Sequence, residues 1–459
     1  MRRLFLALIV ALGLAAPAAA QDAGATIAIT GGRVVIGDGS APIDGGTVLI
    51  RAGRVVAAGA GVPVPAGATM VDARGKWVTP GIVAGFSRLG LLEVDAVDET
   101  NDVGAPGSPF NAAIDVAPAV NPMALAIAVN RAAGVTRAIV SPGVGRGQRT
   151  IFAGQGAVID LGADMEPVTQ PRAFQFVELG EEGAEHAGGS RAAAHVMLRN
   201  ALREARDLRP PAAARRPGGP GLSPDNPYLQ GTTARSDDVL LTRFDAAALV
   251  PVLEGAQQLF VHVERASDIV QVLALKEEFP RLRLVLVGAA EGWRVADRIA
   301  AAGVPVLANA LTNLPASFEQ LAATQSNIGR MRAAGVRVAI GMLNDEDGRN
   351  IRVETQYAGN LVALTRVPGA MGLDWNSAFA AISGGPAEIV GLDDEIGTLR
   401  PGRRADVVIW DGDPLELMSG VEAVWIDGVP QSLANHQTEL RDRYRQPREG
   451  ALPHAYIRR

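Results

Sequence analysis

The sequence predicts an α/β fold: a (β/α)8 TIM barrel that carries a small composite β-sandwich built from both ends of the chain. Two patterns and one size argument predict it. Strand-like runs crowd the two ends, at residues 26–79 and 405–427. Strand and helix patterns alternate between them. The length of 459 residues suits one large barrel with a satellite domain.

In chain order, Arg2 and Arg3 form a basic start, Leu4 to Leu14 an apolar centre, and Ala18-Ala19-Ala20 a small-residue site before Gln21. That is the pattern of an export signal, and the apolar run is too short to span a bilayer as a helix. Cleavage is expected between Ala20 and Gln21, leaving a periplasmic or secreted mature chain with no membrane span. Thr47-Val48-Leu49-Ile50 and Arg54-Val55-Val56-Ala57, with Gly53 between them, predict a hairpin. Ala405 to Trp410 and Val421 to Ile426 supply matching strands at the far end.

Eight barrel strands are expected, at 83–89, 136–140, 156–160, 173–178, 259–263, 284–288, 304–307 and 336–341. Their near-continuous apolar character predicts a parallel sheet covered on its outside by helices. Helices are expected at Ser267–Phe279 and Trp293–Ala302, and after Asn121-Pro122 as cap and first residue. Arg209 to Pro227 reads as a mobile loop. The resulting division is 1–20 export signal, 21–79 first part of the sandwich, 80–390 barrel, 391–430 second part of the sandwich and 431–459 surface tail.

Composition narrows the functional classes. Hydrophobic residues make up 48% and charged residues 20%, enough to bury a large core. A net charge of −6 argues against a general nucleic-acid binder. The absence of cysteine removes disulfides, thiolate nucleophiles and Cys-ligated zinc. Gly143-Val144-Gly145-Arg146-Gly147 lacks the Gly-Lys-Ser/Thr of a phosphate loop and reads as a turn.

Three segments carry a family resemblance: Thr79-Pro80-Gly81-Ile82-Val83, the run from Gly397 to Trp410 with Gly412-Asp413-Pro414, and Val424-Trp425-Ile426-Asp427-Gly428. In order and spacing they resemble amidohydrolases of the imidazolonepropionase-like branch. The resemblance implies hydrolysis of C–N or similar bonds with one or two divalent metals such as zinc, at the C-terminal face of the barrel. It also implies a ligand set: a His-x-His pair on strand 1, a Lys or Glu on strand 4, a His on each of strands 5 and 6, and an Asp on strand 8. Against that pattern the strand-1 positions hold Phe86 and Arg88, the strand-6 position Gly288 and the strand-8 position Leu343. His262 remains on strand 5. Glu178 takes the strand-4 position, with Asp160 on strand 3 as the fallback.

The metal-ligand positions are thus mostly replaced, and no metal or other cofactor is expected. An arginine stays protonated. Held about 4 Å from a divalent ion, Arg88 would be repelled by roughly 8 kcal/mol at an effective dielectric of about 20. The expectation is that Arg88 instead pairs with Glu178, or failing that Asp160, while Phe86 and Leu343 fill the vacated space. His262 reads either as a surviving base or as a barrel-mouth histidine held by hydrogen bonds. Glu264, Arg265, Glu291, Asn344 and Asp345 are candidates for a polar pocket or for surface ion pairs. Glu93, Asp95, Asp98, Glu99 and Asp102, with Asn344 to Asp347, read as solvated acidic loops, with calcium binding as the alternative. The function expected is that of a family member without metal-dependent hydrolysis, which binds a small molecule, self-associates or pairs with an intact relative. The alternative is a hydrolase that works through His262 and acidic residues.

Overall fold

The computed structural model describes residues 26–94, 97–208, 240–341 and 347–445. The expected export signal, the 209–227 loop, and Leu343, Asn344 and Asp345 lie outside the described residues. Five strands open the chain: β1 (Thr26–Val34), β2 (Ile43–Arg51), β3 (Arg54–Gly59), β4 (Thr69–Asp72) and β5 (Trp77–Pro80). Eight barrel strands follow: β6 (Ile82–Ser87), β7 (Val135–Val140), β8 (Phe152–Asp160), β9 (Val168–Glu178), β10 (Gln258–Val263), β11 (Arg283–Gly288), β12 (Val306–Ala308) and β13 (Val338–Ile340). Then come β14 (Val407–Trp410), β15 (Val421–Ile426) and β16 (Val429–Pro430).

The two chain ends share one sheet, ordered β16-β15-β14-β5-β1-β2-β3 with β4 beside β1. Its seam is the antiparallel pairing of β14 with β5, which sets Trp410 opposite Trp77. Alternation buries Ile29, Val48, Ile50, Val78 and Val407 on one face. The β2–β3 turn places Ala52 and Gly53 at φ 49° and 73°, the left-handed pair that matches strand twist in a two-residue hairpin.

The barrel strands run β6 to β13 in sequence order. Residues 381–382 complete the ring, where Ile340 N–H donates to Ala381 O and Val83 N–H to Ile382 O, both at 3.0 Å. A Cβ on Gly85 would lie 2.1 Å from Ile340 O, so glycine permits the approach of these two strands. Phe86, Phe174, Phe176, Phe260 and Val287 fill the interior, with Phe174 and Phe260 stacked at 4.0 Å between ring centroids. A second apolar layer, including Leu198, Leu249 and Leu275 from the helices, lies between helices and barrel.

The expectation of an all-parallel sheet is corrected at one strand. β8 runs antiparallel to both β7 and β9. The cause is connection length: Leu161 to Pro167 is too short for a crossover, which needs a dozen or more residues. Reversal carries Asp160 to the N-terminal end of the barrel, opposite Arg137 in register. Two smaller corrections concern helices. The helix expected from Pro122 begins at Leu125, because Asn121 turns the chain first by accepting from Met123 N–H at 3.0 Å. The tail contains an exposed helix, His436–Arg445. Among the described residues no helix is long and apolar enough to cross a membrane.

Beneath the barrel, the fully buried Arg137 ties it to the end-built sheet. Its Nε donates to Asp406 at 2.7 Å and an Nη lies 2.8 Å from Asp427. Another Nη lies 3.5 Å from Asp160. Burial pushes the Asp160 carboxyl up to about 6 even with Arg137 beside it.

Candidate active site at the barrel mouth

A cavity of about 870 Å³ opens at the C-terminal ends of the barrel strands. Parallel register brings its central pair together: Glu178, the last residue of β9, stands opposite His262 of β10. Both follow the inward-facing phenylalanines at a spacing of two, so alternation aims them into the mouth. His262 Nδ1 and Glu178 Oε2 are 2.6 Å apart. On the other side, His262 Nε2 and Glu264 Oε1 are 3.3 Å apart. Glu264 is itself anchored by Ala290 N–H at 2.7 Å. Burial works to lower the His262 pKa, but the Glu178 carboxylate, then Glu264, outweigh it and raise it well above the usual histidine value. With a carboxylate oxygen facing each nitrogen, the ring is placed to donate from both as an imidazolium.

Gly288 explains the place of Glu264. At φ 90°, a Cβ there would lie 2.7–2.9 Å from the Glu264 carboxyl atoms. The Glu264 carboxylate thus fills the room a side chain at the strand-6 position would need. Arg88 is buried and lines the cavity beside Phe86. Its guanidinium donates to Ser141 O at 2.6 Å and to Pro142 O. It lies 5.2 Å from the Phe86 ring centroid and 6.0 Å from that of Phe176.

The expected Arg88–Glu178 ion pair is not formed: Glu178 is taken by His262, its register neighbour, and Arg88 is turned toward the loop after β7. The fallback to Asp160 fails through strand direction. Ser87 registers with Val140, so Arg88 lies beyond the level of Val140. Asp160 sits level with Arg137, four positions below Arg88 and about 13 Å away along the strands at about 3.3 Å per residue. Of the other pocket candidates, Glu264 lines the cavity. Arg265 instead pairs with Asp268 at 2.8 Å. Glu291 accepts from Ala266 N–H at 3.1 Å and Ala322 N–H at 2.9 Å, pinning two loops. Glu93, Asp98, Glu99 and Asp102 are exposed, with Glu93 accepting from Asn121.

Glu182 is a charged cavity residue that sequence reasoning missed. Gly180, at φ 73°, turns the chain out of β9 into the helix Gly180–His186, and Glu182 on its first turn faces the mouth. Its carboxyl, Glu178 and His262 offer atoms all within 4.8 Å of one another. The neighbouring Glu178 charge raises the Glu182 pKa, although the Glu182 side chain itself is exposed. The available signal was the run Glu178-Leu179-Gly180-Glu181-Glu182, acidic on both sides of a glycine at a strand end.

These residues do not fit the metal arrangement that the resemblance implies. The strand-1 side presents a phenyl ring and a guanidinium, and the strand-6 side presents Glu264 packed over a glycine. The remaining imidazole has both nitrogens committed to carboxylates.

Residues 282–430 match the family model described as the amidohydrolase family. The amidohydrolase tasK of Hapsidospora irregularis is 25% identical over 390 residues, 78% of this chain but 37% of that protein. The imidazolonepropionase of Maricaulis maris is 33% identical over 126 residues, 26% of this chain and 30% of the relative. The chain therefore matches well under half the length of either curated relative. An amidohydrolase structure from Thermotoga maritima superposes with a TM-score of 0.72 at 24% identity, over 88% of this chain and 99% of that one. At that identity the likeness speaks for the fold. By this match and this superposition, the chain is similar to the amidohydrolase family in sequence over residues 282–430 and shares the fold of a solved amidohydrolase over most of its length.

Proposed function

We propose that this protein is a non-hydrolytic amidohydrolase-fold protein that binds a small molecule at the barrel mouth. The observation that carries this reading is the Gly288–Glu264 exchange. An anchored internal carboxylate occupies the strand-6 ligand space and, with Glu178, holds His262 from both sides. The loss of hydrolysis then follows from chemistry. Metal hydrolases need a coordinated water of lowered pKa, and an imidazolium has no lone pair with which to ligate or to act as a base. Export to the periplasm or exterior, self-association, or pairing with an intact relative complete the proposal. They rest on the N-terminal pattern and on the family resemblance. The test is metal content of the purified protein together with a broad amide and ester hydrolysis screen. No stoichiometric metal and no turnover are expected.

One observation favours a second reading. Glu178, Glu182 and His262 offer three potential ligand atoms within 4.8 Å, the start of a one-cation site if His262 gives up its proton. A stoichiometric metal with turnover that is lost in Glu178→Gln would establish that reading and overturn the first.

A further inference from the structure

We propose that Glu354 is a proton-controlled latch behind the barrel mouth: as a neutral acid it holds residues 348–353 against the first barrel strand, and as a carboxylate it lets them go. Glu354 opens the helix Glu354–Leu364 and is fully buried. Neither of its oxygens has a well-formed hydrogen bond, and the Gly85 N–H of β6 is the one group that favours the charged form. A buried carboxylate is ordinarily paired, yet among the described residues no charged group answers this one. β6 and β13 carry none. Neither does the helix Trp375–Ala380, which packs beside Glu354–Leu364. The helix Glu354–Leu364 itself adds only the titratable Tyr357. The arginines of the adjoining segments are turned to other acceptors. Arg88 donates to Ser141 O and Pro142 O, and Arg131 to Leu161 O. Arg349 donates to Glu93 O, and Arg352 to Gln437.

The segment that Glu354 ends is the one that backs the mouth. Gly348 O accepts from Arg88 N–H at 2.9 Å, which sets the segment against a cation lining the cavity. Asn130, buried on the helix Leu125–Ala132, fixes the middle. Its Nδ2 donates to Arg349 O at 2.7 Å, and its Oδ1 accepts from Arg352 N–H at 2.8 Å. None of these holds titrates, and Glu354 does. Burial raises its pKa well above the usual carboxyl range while the segment is docked. Undocked in water, the carboxyl returns to that range, so undocking releases a proton. The docked state binds the proton, and docking is therefore strongest at acid pH. It weakens as pH rises from the ordinary carboxyl range through the raised value. Control of the mouth by this latch rests on the mouth being a ligand site; the latch itself does not.

Amide hydrogen exchange of the purified protein at about pH 5, 6 and 7, just above the ordinary carboxyl range, tests it. The reporters are the N–H groups of Gly85, Arg88 and Arg352. After division by the intrinsic exchange rate, their opening constants should rise up to about tenfold per pH unit, because one proton leaves on each opening. They should also exceed those of the β10 and β11 core amides, which report global unfolding. In Glu354→Gln the rise should vanish, with the melting temperature showing that the fold survives. If that variant does not fold, Glu354→Met gives the same readout. Opening constants independent of pH in the wild type, the same rise in the variant, or reporters that open no more readily than the core would each overturn the latch and leave the non-hydrolytic reading standing. Metal content and turnover judge that reading separately.

Discussion

At the scale of single residues, the mouth is organised by side chains that fit one another. Gly288 and Glu264 share one volume, and His262 takes its charge state from the carboxylates on either side. Gly288→Ala should therefore cost about 1–3 kcal/mol, combining a left-handed backbone with a side chain driven against Glu264. Denaturant unfolding would show it, and a midpoint equal to the parent's would contradict the shared volume. Glu354 presents a separate case. It is fully buried at the start of the helix Glu354–Leu364, and its oxygens have no well-formed hydrogen bond. Burial raises its pKa well above the usual carboxyl range, opposed by the Gly85 N–H alone. A carboxyl raised in the folded state contributes stability below its unfolded pKa and loses it as pH rises through the folded value. Glu354→Gln should remove that dependence. Relative to wild type the variant should gain stability between acidic and neutral pH, by at most about 1.4 kcal/mol per pH unit. Parallel stability–pH curves for the two proteins would show that Glu354 is not the titrating group.

At the scale of elements, the reversed β8 decides which end of the barrel each carboxylate serves. A parallel β8 would have delivered Asp160 to the mouth. Reversed, it delivers Asp160 to the base, where Arg137 joins Asp160, Asp406 and Asp427. Asp406 and Asp427 belong to two of the segments that carry the family resemblance, so those motifs have a mechanical role in docking the end-built sheet under the barrel. Removing the arginine strands buried carboxylates. Arg137→Met should cost about 3–5 kcal/mol, and adding Asp406→Leu should restore part of the loss by removing one stranded charge. Urea unfolding of the single and double variants checks this. A double variant no more stable than the single one would mean that the arginine acts by packing rather than by charge.

At the scale of the whole molecule, chain ends and middle divide the work. The ends build the sheet, the middle builds the barrel, and the Arg137 cluster couples them. The proposed export adds a further expectation: N-terminal sequencing of protein recovered from the cell envelope should begin at Gln21, and Met1 would contradict it. The proposed pairing with an intact relative predicts a heteromeric mass in native mass spectrometry of the affinity-purified protein. A mass equal to one chain would leave the ligand-binding role without a partner.

The sequence by itself determined the barrel strands and the meeting of the two ends in one sheet. These follow from local apolar patterning and from residue identity at motif positions, both of which are readable along the chain. His262 and Glu178 were legible as mouth residues because each ends or nearly ends an apolar run. The partner of each charge was not legible. Arg88 was expected on Glu178, yet strand register assigned Glu178 to His262, and a loop carbonyl pair took the guanidinium. Strand direction sent Asp160 to the far end, and a glycine turn brought Glu182 into the cavity. Charge pairing is a matter of distance between groups far apart in sequence. Register, strand direction and turn geometry set those distances, so only the tertiary structure could decide it.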